Sequence, residues 1–144
     1  MSKHNQNNKA LLHFREPLIL SNLILAMKES LPELEAAFNE YQDDLLQTGE
    51  YDQGYFSYIF NPYLQEFLQS KQKHPNQLGK RIFHYLERMA RSPEWTVVNV
   101  LAVVILEHLS PHQLEVARQY MGPKTKEILK DIQQYWRDLH AAQK

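Results

Sequence analysis

The sequence contains no cysteine, and this absence excludes several kinds of site at once. Without thiols the chain cannot form disulfides, bind zinc through thiolates or use a cysteine nucleophile. A chain without disulfides suits a reducing compartment. Residues 1–9 are polar and lack the apolar core of a signal peptide. We therefore expect a cytoplasmic protein.

Glycine is scarce, and long apolar runs are missing. The four glycines are scattered, so no glycine-rich phosphate loop is present, and no serine lies in a G-x-S-x-G motif. The apolar segment 97–106 has ten residues and includes an asparagine. A membrane-spanning helix requires about 20 apolar residues. We expect no membrane span.

Metal-binding and acid–base constellations are also lacking. His108 and His112 have the spacing of two ligands on one helix face, but Ser110-Pro111 begins a new helix between them. The other histidines are isolated. The adjacent Asp43 and Asp44 point about 100° apart on a helix, which does not suit a shared catalytic role. We expect no metal, no cofactor and no enzymatic activity.

What the sequence does contain is an ordinary globular composition with helical periodicity. The chain has 144 residues, of which 43% are hydrophobic and 23% charged, and this is enough for one domain with one core. Residues 1–15 have no period and predict a disordered tail, which leaves 16–144 as a single helical domain. Apolar residues recur at helical spacing from residue 17 onward. The predicted helices cover about 17–30, 32–45, 61–69, 77–91, 92–109, 111–121 and 123–139.

Proline and capping residues mark where these helices begin. Pro32 suits a first helical turn, Asn61-Pro62 and Ser92-Pro93 predict a cap followed by a new helix, and Ser110 with Gln113 predicts a capping box.

Two segments could be strands instead. Residues 55–60 are rich in aromatics, which favour strands, but the chain offers no partner strand, so we prefer a helix. Residues 97–106 include six β-branched side chains. Their length and the helix-start signal before them predict a helix that is apolar on every side and buried.

The helices alternate with short breaks, which predicts an all-α fold of six to seven helices in antiparallel hairpins. The pair spanning 78–109 resembles a HEAT-type repeat, with a period of about 35–40 residues. The alternatives are a HEAT-like α-α superhelix and a compact helical bundle.

Charge is unevenly distributed, although the net charge is only −1. Residues 29–66 carry nine acids and no Lys or Arg, whereas residues 67–144 carry twelve bases and seven acids. A basic stripe on the fourth helix consists of Arg81, His84, Arg88 and Arg91. It could bind phosphates, form a solvated face or dock on the acidic half of the same molecule. The overall charge balance argues against nucleic acid as a partner.

The acidic half offers the better binding surface. Acids steer a basic partner, and tyrosine rings supply contact area at low entropic cost. The alternative interpretation is a solvated helix face above core aromatics such as Phe56, Phe60 and Tyr63. The residues predicted to bind a protein partner are Glu33, Glu40, Asp43, Asp44, Tyr51, Asp52 and Tyr55.

Three segments resemble a family of bacterial all-helical proteins that are often encoded beside polymorphic toxins. They are residues 60–64 (Phe-Asn-Pro-Tyr-Leu), residues 97–109, and residues 120–126 with Tyr135-Trp136 downstream. The resemblance covers about residues 31–136. It implies a HEAT-like helical fold and an immunity-type function, in which the protein binds a cognate toxin. The resemblance does not identify functional residues in this sequence.

The leading hypothesis is therefore a cytoplasmic immunity-type protein that occludes a basic toxin domain. A helical-repeat scaffold or adaptor in a regulatory assembly is the alternative. A third, a degenerate helical enzyme, would be recognised by a ligand or metal retained through purification.

Overall fold

The computed structural model describes residues 16–44, 53–70 and 76–142, without the side chains of 42–44 and 76. The first 15 residues, predicted as a tail, lie outside the described part, as do Tyr51 and Asp52. Seven helices and no strand are present in the described residues, so the predicted all-α fold is confirmed. The choice between a HEAT-like superhelix and a bundle stays a prediction.

The helices follow each other closely along the chain. Helix α1 is Leu23–Ser30, a 3₁₀ turn at Pro32–Leu34 leads into α2 at Glu35–Asp44, and α4 is Asn76–Ala90. Helices α6 and α7 are Pro111–Arg118 and Pro123–Ala142. Helix α3 covers 55–69 and joins a π-helical part, Tyr55–Phe60, to an α-helical part, Asn61–Gln69. Helix α5 covers 95–108 and is α-helical at Trp95–Asn99, π-helical at Val100–Ile105 and 3₁₀ at Leu106–His108.

Helix α4 packs against three other helices. It contacts α1, α5 and α7, while α3 contacts α2, α5 and α6. The buried hydrophobic side chains of the described residues form one cluster. Tyr85 is fully buried on α4, and its hydroxyl donates to the Leu23 carbonyl oxygen at 2.9 Å. The inward face of α4 thus follows from its apolar spacing, as predicted.

The residues before α1 are held against the start of α5. Leu18 is fully buried, and its carbonyl oxygen accepts a hydrogen bond from the Ser92 hydroxyl. The Leu20 N–H donates to the Glu94 carboxylate at 2.6 Å. We predicted Ser92 as the cap of the fifth helix, and this was wrong, because that helix begins at Trp95 and has no side-chain cap. Ser92 and Glu94 instead bond backbone groups that lie 74 positions earlier in the chain.

Asn61 does not cap a new helix either. Helix α3 continues through Asn61 and Pro62, and the helical preference at 55–60 is confirmed, with a π-helical turn. Pro62 lacks an N–H, and its ring would crowd the carbonyl four residues before it in a regular α-helix. The wider π-turn lies directly before this proline. The Asn61 amide is buried and donates to the Val104 carbonyl oxygen of α5 at 2.8 Å, which joins the two helices that contain π-turns.

Two predicted apolar faces are only partly buried. On α5, Val97, Leu101 and Ile105 are buried, but Val103 is 42% exposed, so the helix is not covered on every side. On α7, the apolar face packs against the core at Ile128 and Leu129. It then continues into exposed residues, namely Tyr135, Trp136 and Leu139.

Candidate functional site

The acids predicted to bind a partner differ in what they contact. Glu40 is exposed on α2 and has no partner among the described residues. Glu33 is engaged within the molecule, since both carboxylate oxygens accept from the Arg81 guanidinium at 2.9 Å. Asp43 and Asp44 end α2, but their side chains lie outside the described part, as do Tyr51 and Asp52. The described structure therefore offers Glu40 as the unpaired acid of the predicted set.

Tyr55 does not belong to an exposed surface. It is 8% exposed, and its ring centroid lies 5.4 Å from that of Phe38 and 4.9 Å from that of Tyr41. Tyr58, three residues later, is 73% exposed, and its ring lies 6.0 Å from Tyr41. The sequence-based prediction therefore named Tyr55, which faces the core, and missed Tyr58, which faces solvent. The available signal was Ser57, a polar residue that marks the outward side of the helix next to Tyr58.

Three described residues of the acidic half form the candidate binding surface. We call Glu40, Tyr41 and Tyr58 the acidic tyrosine patch. Tyr41 is half-buried and backs the exposed Tyr58 ring, while Glu40 stands beside it in the chain. An exposed ring supported by a second ring can cover apolar area on a partner without losing many rotamers. A neighbouring carboxylate adds attraction for a basic group.

The basic stripe is largely used for contacts within the chain. Arg81 donates to Glu33 and to the Ser30 carbonyl oxygen at 3.2 Å. Hydrogen bonds from Arg81 lower the pKa of Glu33, and the same bonds raise the pKa of Arg81. Both side chains are partly solvated, so the pair contributes about 1 kcal/mol or less to stability. Arg81 therefore docks on the acidic half of the same molecule, which is one of the three interpretations of the stripe.

The other arginines of the stripe also have partners. Arg88 donates to the Glu16 carbonyl oxygen at 3.0 Å, and Arg91 donates to the Glu87 carboxylate at 2.9 Å. A phosphate-binding surface needs basic side chains that are free to neutralise phosphates and displace their counterions. The three arginines of the stripe are already engaged within the chain, which weakens the nucleic-acid interpretation further.

Glu87 forms a partly buried polar junction that the sequence did not reveal. Its carboxylate accepts from the backbone N–H groups of Lys124 and Thr125 at 3.0 and 2.9 Å, and from the Thr125 hydroxyl at 2.8 Å. It thereby caps the N-terminus of α7 from another helix. Burial by itself would raise the pKa of Glu87, but these bonds and the one from Arg91 outweigh it and lower the pKa. The junction is structural and leaves the carboxylate no free role in acid–base chemistry.

In the described ranges, no three histidine or acidic side chains are grouped so that they could hold a metal ion. No helix among those described combines the length and the apolar character that crossing a bilayer requires.

Comparison with known proteins identifies one family. Residues 24–137 match the family described as "Domain of unknown function (DUF7674)". No match was found among curated proteins or among solved structures. The matched range includes all seven helices except the first residue of α1 and the last five of α7. The chain therefore belongs to the DUF7674 family, whose function is unknown.

Proposed function

We propose that this chain is a non-catalytic module that binds a basic protein through the acidic tyrosine patch. The observation that carries the proposal is Tyr58, which is 73% exposed and rests against Tyr41 in a stretch without Lys or Arg. Large aromatic side chains are common energetic centres of protein interfaces. Removing water from an exposed tyrosine ring of this kind costs little free energy, and contact of the ring with a partner contributes much to the binding free energy.

The finer proposal is an immunity-type protein that neutralises a cognate toxin by covering it. It rests on the resemblance of residues 31–136 to proteins encoded beside toxins, and on the acidic character of residues 29–66. A nuclease presents a basic face to phosphates, and acids can imitate those phosphates. This proposal also requires both proteins to meet in the cytoplasm.

Co-expression tests the immunity proposal directly. Cells that express the toxin candidate from a neighbouring gene should survive when this chain is co-expressed. A Tyr58→Ala variant should lose affinity for that toxin by about tenfold or more. Tyr135→Ala is the matched control, because Tyr135 is also exposed but lies on α7. Equal affinity of both variants would contradict the assignment of the patch.

An adaptor remains the second candidate because α7 exposes another apolar face. Tyr135, Trp136 and Leu139 are 61%, 41% and 36% exposed, respectively. An adaptor needs two binding surfaces, and this face could serve as the second. Capture of two different proteins, one lost with Tyr58→Ala and the other with Trp136→Ala, would favour the adaptor over the immunity protein.

A further inference from the structure

A groove of about 760 Å³ lies beside α4, between the end of α1 and the connection from α6 to α7. Its walls include Ser30, Lys80, Phe83, His84, Tyr120 and Gly122. None of these residues belongs to the acidic tyrosine patch. Pockets of about 300–1,000 Å³ typically accept small organic ligands. The groove is therefore of a suitable size for a ligand with one or two rings.

The floor of the groove is aromatic. Phe83 is 2% exposed, and its ring stacks on Tyr120 with centroids 5.7 Å apart and planes 20° apart. On another side, Phe67 meets the Tyr120 ring edge-on at 5.6 Å. Gly79 permits this arrangement, since a Cβ at that position would collide with the Tyr120 ring. The ring is thus held in place before any ligand arrives.

Arg81 and Glu87, two of the charged side chains that line the groove, have partners of opposite charge within the chain. Arg81 pairs with Glu33, and Glu87 accepts from Thr125, Lys124 and Arg91. Burial lowers the pKa of Arg88, and the nearby charges of Tyr85 and Glu29 act in the opposite direction. Arg81 and Glu87 are therefore already engaged before a ligand binds.

Two donors remain available at the groove. Lys80 is exposed, and no described residue pairs with its ammonium group. The Tyr120 hydroxyl likewise has no hydrogen-bond partner in the described ranges. Both groups donate, and the ammonium carries an unbalanced positive charge. They suit an anion that accepts hydrogen bonds.

We propose that this groove binds a small organic carboxylate with a flat aromatic body. The aromatic body packs against the Tyr120 ring, and the carboxylate pairs with Lys80. Charge-assisted hydrogen bonds of this kind are about twice as strong as neutral ones. The apolar floor supplies contact area, and the positive charge of Lys80 favours a ligand with a negative charge.

The test uses 2-naphthoate as the probe and backbone amide NMR of the full chain as the readout. We expect saturable shifts at residues 79–84 and 120–122. The ammonium analogue, 2-naphthylmethylammonium, should bind about tenfold more weakly or not at all. A Lys80→Gln variant should bind 2-naphthoate about tenfold more weakly, and Tyr120→Phe about threefold more weakly. Lys130→Gln, an exposed lysine on α7, should bind like the unmodified chain.

Lys80 is exposed, so Lys80→Gln should fold normally, which far-UV circular dichroism will verify. Equal affinity for the carboxylate and the ammonium probes would overturn the proposal. So would shifts outside the groove, an unchanged affinity in Lys80→Gln, or the absence of saturation. These outcomes leave the protein-binding proposal unaffected, because Tyr58 takes no part in the groove.

Discussion

Glu87 is the residue on which the start of α7 depends most directly. Replacing it with Gln removes the charge that faces Lys124, Thr125 and Arg91. We expect Glu87→Gln to lower the free energy of unfolding by about 2 kcal/mol, because hydrogen bonds to a charged group are each worth about 1.5–3 kcal/mol. Chemical denaturation at neutral pH measures this change. Glu115→Gln, an exposed acid on α6, should have almost no effect.

The same residue gives a pH dependence with a definite sign. The pKa of Glu87 is lower in the folded chain than its ordinary value of 4.5. Its contribution is therefore fully present above the ordinary value and is lost as the pH falls through the lowered folded value. The stability difference between the native chain and Glu87→Gln should shrink as the pH falls below about 4.5. A difference that grows in acid would contradict this reading of the junction.

Gly122 belongs to the same junction. A Cβ there would lie 2.5 Å from the Glu87 carboxyl carbon. Because that carboxyl is fixed by Thr125 and Lys124, it cannot move aside without losing hydrogen bonds. Gly122→Ala should destabilise the fold by about 1–3 kcal/mol, measured by chemical denaturation. If Gly122→Ala is made in the Glu87→Gln background, the two losses should be less than additive.

At the scale of helices, Asn61 joins α3 to α5. Asn61→Ala leaves the buried Val104 carbonyl oxygen without its donor and should cost about 1–3 kcal/mol of unfolding free energy. Asn39→Ala, an exposed asparagine on α2, is the control and should change the stability by less than about 0.5 kcal/mol. Equal stabilities of the two variants would show that this bond contributes nothing.

The helices themselves were largely predictable, because their signals are local. Ser110 and Gln113 form the predicted capping box, with both hydrogen bonds present. The apolar spacing predicted α4 at about 77–91, and each of these ends lies within one residue of the observed helix, Asn76–Ala90. Asn61 was misread because its partner, Val104, lies 43 positions away in the sequence. A local pattern cannot distinguish a capping asparagine from one that bonds a distant carbonyl.

The candidate surface was less predictable for the same reason. Whether Tyr55 or Tyr58 faces solvent depends on where α2 packs, and the π-helical turn at 55–60 changes the angular spacing of the side chains. The Glu33–Arg81 pair and the Glu87 junction each join residues far apart in the chain. Sequence composition identified the acidic half, but only the packing shows which of its residues are free.

At the scale of the whole molecule, the charge division predicts salt-sensitive association. Reversing Glu40, Asp43, Asp44 and Asp52 to Lys should slow association with a basic partner at least about fivefold at low salt. The matched control reverses four exposed acids of the second half, Glu107, Glu115, Asp131 and Asp138. Stopped-flow kinetics at two salt concentrations measures both. Equal slowing by the two sets would remove the reason to assign binding to the acidic half.

The end of α7 is expected to contribute little to folding. Beyond Ile132 its side chains are exposed or half-buried, so truncation after Arg137 should change the unfolding free energy by less than about 0.5 kcal/mol. Truncation after Glu127 removes the buried Ile128 and Leu129 and should cost about 4 kcal/mol or more. Thermal unfolding distinguishes these outcomes. A large loss from the shorter truncation would show that the exposed face is packed in solution.

Exposed aromatics also determine what fluorescence can detect in this protein. The chain has two tryptophans, Trp95 and Trp136, which are 74% and 41% exposed in the folded state. Their indoles already meet water, so unfolding should shift their emission only slightly. A protein that covers α7 would remove water from Trp136 and move its emission to shorter wavelength. Tryptophan emission should therefore report association at α7 far better than it reports folding.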